Sequence, residues 1–240
     1  MKLNINKKRI LFIFLCVCFS IIGYGIMYNI NLKNKDIKAN ATPITNKTII
    51  IDAGHGLPDS GASAFNGTTE QAINLSIALK LQKTIEQSGA KVILTRSDEN
   101  GIYSTDSTSI RNKKVSDIKN RVQIGNNSSA DIFVSIHLNK FSGSSEYKGW
   151  QTFYQKDSVQ SCVLANKIQE NLNKNIKEEN SRKVLSLSNV YIMDNVQIPT
   201  VIVECGFLSN PEETENLKKD EYQNKLVWGI YIGIQDYFYD

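Results

Sequence analysis

The fold class predicted by the sequence is α/β: a mainly parallel, twisted sheet with helices on both faces, formed by one domain that follows an N-terminal membrane segment. Three observations carry this. Short β-branched runs alternate with stretches whose apolar residues recur at three- and four-residue spacing, the pattern of strands joined by crossover helices. Several of the short runs are continuously apolar rather than alternating, as strands covered on both faces must be. Ahead of them lies one long stretch without a charge.

The elements follow in order. Residues 1–9 form a basic tail with Lys2, Lys7, Lys8 and Arg9. Residues 10–30 (ILFIFLCVCFSIIGYGIMYNI) are uncharged, and about 20 apolar residues at ~1.5 Å rise match the hydrocarbon thickness of a bilayer. Bases before such a segment stay in the cytoplasm, so everything after Ile30 is expected outside it. The length favours an uncleaved anchor. A cleaved signal, whose apolar core runs to about 7–15 residues, is the alternative, with Ala39-Asn40-Ala41 as its cleavage site. Cys16 and Cys18 are not preceded by the small residue that lipid attachment requires, so no lipid anchor is expected. Residues 31–46 are polar, interrupted by Pro43, and read as a tether.

The domain proper is expected over 47–240. Its strands are read at 48–52 (TIIID), 90–95 (AKVILT), 131–137 (DIFVSIH), 150–154 (WQTFY) and 199–204 (PTVIVE). Four helix faces are marked by Ile73, Ile77, Leu81 and Ile85; by Val115, Ile118 and Val122; by Leu164, Ile168 and Leu172; and by Leu226, Ile230 and Ile234. Residues 97–112 have no period and read as a long exposed loop, either plain surface or a contact for substrate.

Composition closes off several classes. A chain with 41% hydrophobic and 22% charged residues and no low-complexity run is neither disordered nor collagen-like. Residues 1–45 hold seven bases against the single acid Asp36, a surplus of six, which takes the rest of the chain from the overall +4 to −2. A faintly acidic body lacks the basic footprint of a nucleic-acid partner, and none is expected. Beyond the leader only Cys162 and Cys205 remain, enough for one optional bridge but not for a disulfide framework. Stability must come from a core.

In an open parallel sheet, ligands bind outside the carboxyl ends of the strands. Three apolar runs end there on ionisable residues: TIIID leads into DAGHG and His55, DIFVSIH ends on His137, and TVIVE ends on Glu204. His55 and His137 are also the only histidines in the chain. Two imidazoles and a carboxylate form a common catalytic zinc set, with a fourth position left for water. For the third ligand, Glu70 at the start of the first helix competes with Asp52 and Asp59. Thr68 and Gln71 around Glu70 equally suit a capping box, and an acid in a first turn suits the helix dipole. Residue pattern alone leaves that choice open. Glu204, between a buried strand and CGFLSN, would be partly desolvated, which raises a carboxyl toward the range useful for proton transfer.

Other chemistries fail on spacing. Gly56 and Gly61 stand at P-loop distance, but Ala62-Ser63 follow where Lys-Ser/Thr is needed. Asp59 replaces the last glycine of a dinucleotide fingerprint begun at Gly54 and Gly56, and there is no GxSxG elbow. Cys205 as a thiol nucleophile would draw on histidines better used by a metal.

The ordered blocks IIIDAGHG (His55), TTEQAINL (Glu70), LTR (Leu94–Arg96), RVQIGNN (Arg121–Asn127), ADIFVSIHLN (His137, Asn139) and VIVECGFLSN (Glu204) resemble those of the zinc-dependent N-acetylmuramoyl-L-alanine amidases of the type-3 catalytic domain, from about Lys47 to Tyr239. The resemblance implies one zinc ion per chain held by His55, Glu70 and His137, with Glu204 as the catalytic acid/base. It implies hydrolysis of the amide between N-acetylmuramic acid and L-alanine, with peptidoglycan glycan and stem peptide as partners. Cys205 and the 97–112 loop depart from the family pattern without touching the implied ligands. A short chain of one leader and one such domain, with no added wall-binding module, is similar to the germination-specific amidases of spore-forming bacteria. That similarity implies action on spore cortex in the spore intermembrane space, ahead of muramic δ-lactam formation. Two alternatives stay open: a weakly active or partner-activated cell-wall module of the same fold, completed by an exported accessory protein, and a zinc peptidase or deacetylase.

Overall fold

The computed structural model describes residues 15–28 and 42–239. The chain divides into two compact units, Met1–Ala41 and Thr42–Asp240. In the first, α1 (15–28) is an apolar helix within the expected membrane segment. The basic tail 1–9, the ends of the membrane segment and most of the expected tether lie outside the described residues. Among the described residues no helix is long and apolar enough to cross a membrane.

The second unit is a six-stranded sheet in the order β2-β1-β3-β6-β4-β5. Strands β1 (Thr48–Ala53), β2 (Lys91–Leu94), β3 (Ile132–Asn139) and β6 (Thr200–Phe207) run parallel. Strand β4 (Gln151–Gln155) pairs antiparallel to β6, and β5 (Leu185–Leu187) follows β4 at the edge. The helices are α2 (Glu70–Glu86), α3 (Ile110–Asn127), α4 (Val159–Asn175), α5 (Tyr191–Asn195), α6 (Pro211–Leu217) and α7 (Asp220–Tyr239).

Side chains alternate across each strand, and this divides the core in two. Ile49, Ile51 and Ala53 of β1, Ile132, Val134 and Ile136 of β3, and Val201 and Val203 of β6 pack with α2, α4 and α7. Ile50 and Phe133 point the other way, onto Val122 of α3 and Ile192 of α5. Three of the four helix faces read from sequence are buried along their length, whereas in α3 only Val122 is; Val115 is 46% exposed.

The structure differs from the sequence reading in several places. The compact unit begins at Thr42, within the expected tether: Ile44 is fully buried, and Thr42 Oγ1 donates to Ser88 O at 3.0 Å. Strand β5 and helices α5 and α6 were not expected, because elements of three to seven residues are too short to show a period. Residues Ile110–Asn112 of the expected loop open α3, whose cap is Ser109, accepting from Asn112 N. The loop itself is tied down: Asp117 accepts from Ile102 N, and Leu57 N donates to Glu99 O. The optional bridge does not form; Cys162 and Cys205 are free.

Candidate active site

The register of the sheet delivers the site. His137 of β3 lies opposite Glu204 of β6, and alternation from Ile50, Phe133 and Ile202 puts Asp52, His137 and Glu204 toward the α3 side. There they line a cavity of about 490 Å³ together with His55, Asp59, Lys114 and Ile192.

His55 stands just past β1 with φ +61°, a left-handed conformation that costs a non-glycine residue about 1–3 kcal/mol and persists only where surrounding structure enforces it. Two buried arginines do so. Arg121 donates to the carbonyls of Ala53 and His55 and forms an ion pair with the fully buried Asp52. Arg96 donates to Ala53 O at 2.8 Å, Gly54 O at 3.1 Å and Gln71 O at 2.8 Å. Asp52 also accepts from Thr95 Oγ1 at 2.7 Å and from Ser135 Oγ. Burial opposes its charge, but Arg121 and the two hydroxyls outweigh that and hold its pKa low. Asp52, one of the competing ligands by sequence, is thus committed to Arg121.

Glu70, the first residue of α2 and 4% exposed, sits between the two rings. Its Oε2 accepts from Ala62 N at 2.8 Å and lies 3.2 Å from His55 Nε2. Its Oε1 accepts from Leu138 N at 3.0 Å and lies 3.0 Å from His137 Nδ1. Burial works against its charge, yet the imidazole contacts keep it well below the usual carboxylate range. The capping box does not form: the N-cap Thr69 makes no side-chain cap bond, and the amides of Glu70 and Gln71 donate to Ala62 O and Ser60 O instead.

His55 Nδ1 is 3.0 Å from Asp59 Oδ2, and Asp59 in turn pairs with Lys114 at 2.7 Å and accepts from Gly61 N. Burial depresses the imidazole pKa, but Asp59 and Glu70 more than reverse this and raise it to about 9. Asp59, the other competitor, therefore grips the far nitrogen of His55 from behind. Both rings are closely jacketed. A Cβ on Gly54 would fall 2.4 Å from His137 Nε2, and one on Gly61, at φ +65°, would fall 2.6 Å from Glu70 Oε2.

One ligand atom from each of His55, Glu70 and His137 lies within 4.8 Å of the others, and the rings are 5.1 Å apart in an edge arrangement. Two imidazole nitrogens and one buried carboxylate oxygen at that spacing fit a catalytic zinc ion, and Asp59 stands where a carboxylate orients a ligating histidine. Glu204 is beside the cluster. Burial pushes its carboxyl up to about 7, with Glu70 adding to the rise and both histidines opposing it. Its Oε2 is buried with no hydrogen-bond partner, as suits a group that receives and returns a proton.

Sequence reasoning quoted Arg96 and Arg121 within motif blocks but gave neither a role, and it did not pick out Lys114. The available signal is position: Arg96 follows directly on the apolar strand run 91–95, and Arg121 stands beside Val122 of the expected helix face, and a buried arginine must have partners.

Comparison with known proteins agrees with this geometry. A family model described as N-acetylmuramoyl-L-alanine amidase matches residues 49–236. The germination-specific N-acetylmuramoyl-L-alanine amidase of Bacillus subtilis (strain 168) is 32% identical over 97% of this chain and 96% of its own length. The CwlD amidase from Clostridioides difficile, solved in complex with the GerS lipoprotein, superposes with a TM-score of 0.78 at 47% identity, covering 80% of this chain and 98% of that one. The N-acetylmuramoyl-L-alanine amidase from Clostridium difficile 630 does so with a TM-score of 0.71 at 30% identity, covering 80% and 97%.

Proposed function

The chain belongs to the N-acetylmuramoyl-L-alanine amidase family, and from that membership we propose that its hydrolysis of the muramoyl–L-alanine amide in peptidoglycan is zinc-dependent, with one ion per chain held by His55, Glu70 and His137 and the proton carried by Glu204. The observation that carries this reading is the convergence of three donor atoms within 4.8 Å beside an unpartnered, raised-pKa carboxyl.

When bound, zinc supplies Lewis acidity, polarising the amide carbonyl and making water acidic enough to attack near neutral pH. The chain's own residues do the rest. Glu204 takes the proton of the attacking water on its carboxylate and returns it to the departing L-alanine nitrogen, serving as base and then as acid. Asp59 accepts the Nδ1 proton of His55 and leaves Nε2 as the donor atom facing the cluster. Arg121 and Arg96 fix the strained turn that carries His55. The products are a stem peptide with a free amino terminus and a glycan with an intact backbone.

The wider reading rests on the germination-specific relative, which matches nearly end to end. We place the substrate in spore cortex, the product upstream of muramic δ-lactam, and the protein outside the cytoplasm in the spore intermembrane space. Residues 1–9 are the cytoplasmic tail, 10–30 the membrane anchor and 31–41 the tether to the catalytic domain, which begins at Thr42. The Clostridioides difficile relative was solved with a lipoprotein, and we propose an exported lipoprotein partner here, which raises metal occupancy or rate. Product analysis tests the chemistry: new L-alanine amino termini identify the amidase, whereas cuts inside the stem identify a peptidase and released acetate a deacetylase. Zinc content and rate measured alone and with the partner test the dependence; full occupancy and full rate alone would remove it.

A further inference from the structure

A second groove, of about 470 Å³, opens at the same end of the sheet and takes no part in the chemistry above. Its walls come from the loops after β1, β3 and β6, the three strands that also deliver His55, His137 and Glu204. Serines from all three loops line it, among them Ser63, Ser144 and Ser209. Two aromatic rings stand at its rim: Phe65 is 74% and Phe141 46% exposed. The Phe141 ring is braced edge-on by Tyr147, with centroids 4.6 Å apart.

The groove adjoins the site through two short stretches of chain. Ala62 N and Leu138 N both donate to Glu70. Ser63 follows Ala62 directly, and Lys140 lies two residues beyond Leu138, a reach of at most about 7 Å of extended chain. Lys140 Nζ donates to Ser63 O at 2.8 Å and ties the two loops together. The groove borders Ala64 and Leu208, which belong to the core on the α2 and α7 side, whereas the 490 Å³ cavity opens on the α3 side. The three-residue cluster thus separates two grooves of different character.

The substrate has the same two-sided character, with sugar on one side of the scissile amide and peptide on the other. Pyranose rings present apolar C–H faces with uncharged hydroxyl and acetamido edges. Exposed aromatic rings and serine hydroxyls complement both. The α3-side cavity, with aliphatic walls and charges of both signs at Lys114 and Asp117, instead offers ionic partners for the charged groups of a peptide. We propose that the groove of Phe65, Phe141 and the loop serines is a glycan-strand subsite, in which the rings stack on the N-acetylated sugars flanking the reacting muramic acid. This rests on the amidase reading above. Exposed rings set among serine hydroxyls suit a sugar, whereas a protein contact would centre on a larger apolar patch.

The test compares kcat/KM on peptidoglycan strands with kcat/KM on a single muramoyl peptide that lacks neighbouring sugars, for the full chain and its Phe65→Ala and Phe141→Ala variants. The ratio of the two is expected to fall about tenfold in each variant, as loss of an anchoring ring implies. Affinity for peptide-free glycan strands should fall in parallel, and Phe65→Tyr should restore both. An unchanged ratio, or equal losses on both substrates, overturns the proposal. Unchanged glycan affinity with lost binding of the lipoprotein partner overturns it too and assigns the groove to protein contact. If the zinc-loaded native chain cleaves neither substrate even with the lipoprotein partner added, the amidase reading fails, while binding of peptide-free strands still decides the groove.

Discussion

His137 and Glu204 are register partners on adjacent parallel strands, one the last regular pair of the β3–β6 ladder before its bulge. A candidate ligand and a candidate proton carrier are therefore fixed relative to each other by backbone hydrogen bonds rather than by loop conformation, and the chemistry inherits the rigidity of the sheet.

That arrangement separates metal holding from proton transfer. Glu204→Gln keeps the size of the side chain and leaves the three-donor cluster intact. Zinc content is expected to stay near one per chain while kcat falls by about 10²–10⁴-fold, the usual worth of a general acid–base group. Elemental analysis beside a turnover assay checks both, and near-native turnover would remove Glu204 from the mechanism. His137→Ala should lose metal and activity together.

Asp59 touches His55 but neither Glu70 nor His137, so it would act on a bound metal through one ring. Asp59→Asn is expected to weaken zinc affinity by about 10–100-fold, as loss of a carboxylate behind a ligating histidine does. A chelator competition reads this without reference to activity.

The jacket around His137 gives a steric prediction. A methyl at Gly54 would overlap that ring at 2.4 Å, against a strand end that Arg96 holds from the other side. Gly54→Ala should displace the imidazole and abolish zinc binding while the far-ultraviolet circular dichroism of the domain stays native.

Asp52 and Arg121 set an acid limit on stability. The folded pKa of Asp52 is lowered below its unfolded value, which is about 3.9. Its contribution is therefore fully present above about pH 4 and is lost as pH falls through the folded value. Asp52→Asn removes the fully buried counter-charge of Arg121 but leaves its ion pair with Asp117, and should destabilise by about 1–3 kcal/mol at neutral pH, with a flatter acid limb than the native chain. Urea midpoints across pH 3–7 measure both effects.

Much of this was legible in the sequence, for identifiable reasons. The mostly apolar runs of β1, β3 and β6 are followed or broken by ionisable residues toward their carboxyl ends, so His55, His137 and Glu204 stand out, although β3 and β6 themselves run on to Asn139 and Phe207. Glu70 did not stand out in the same way. Its placement depends on the amides of Ala62 in a loop and Leu138 in β3, 8 and 68 residues away, which no local pattern encodes. The same holds for Arg121, whose partners Asp52 and His55 are 69 and 66 residues distant. Strand β5 owes its existence to pairing with β4, since the three residues of LSL have no strand signal of their own. Ile44 in the expected tether is a single apolar residue, and only its tertiary burial makes Thr42–Asn46 part of the domain.

The central claim, that His55, Glu70 and His137 hold one zinc ion, is tested most directly by zinc-edge X-ray absorption on the purified metal-loaded protein. One zinc per chain is expected, with two imidazole nitrogens at about 2.0–2.1 Å and oxygen completing the shell. A spectrum with sulfur ligation, or with fewer than two imidazoles, would contradict it.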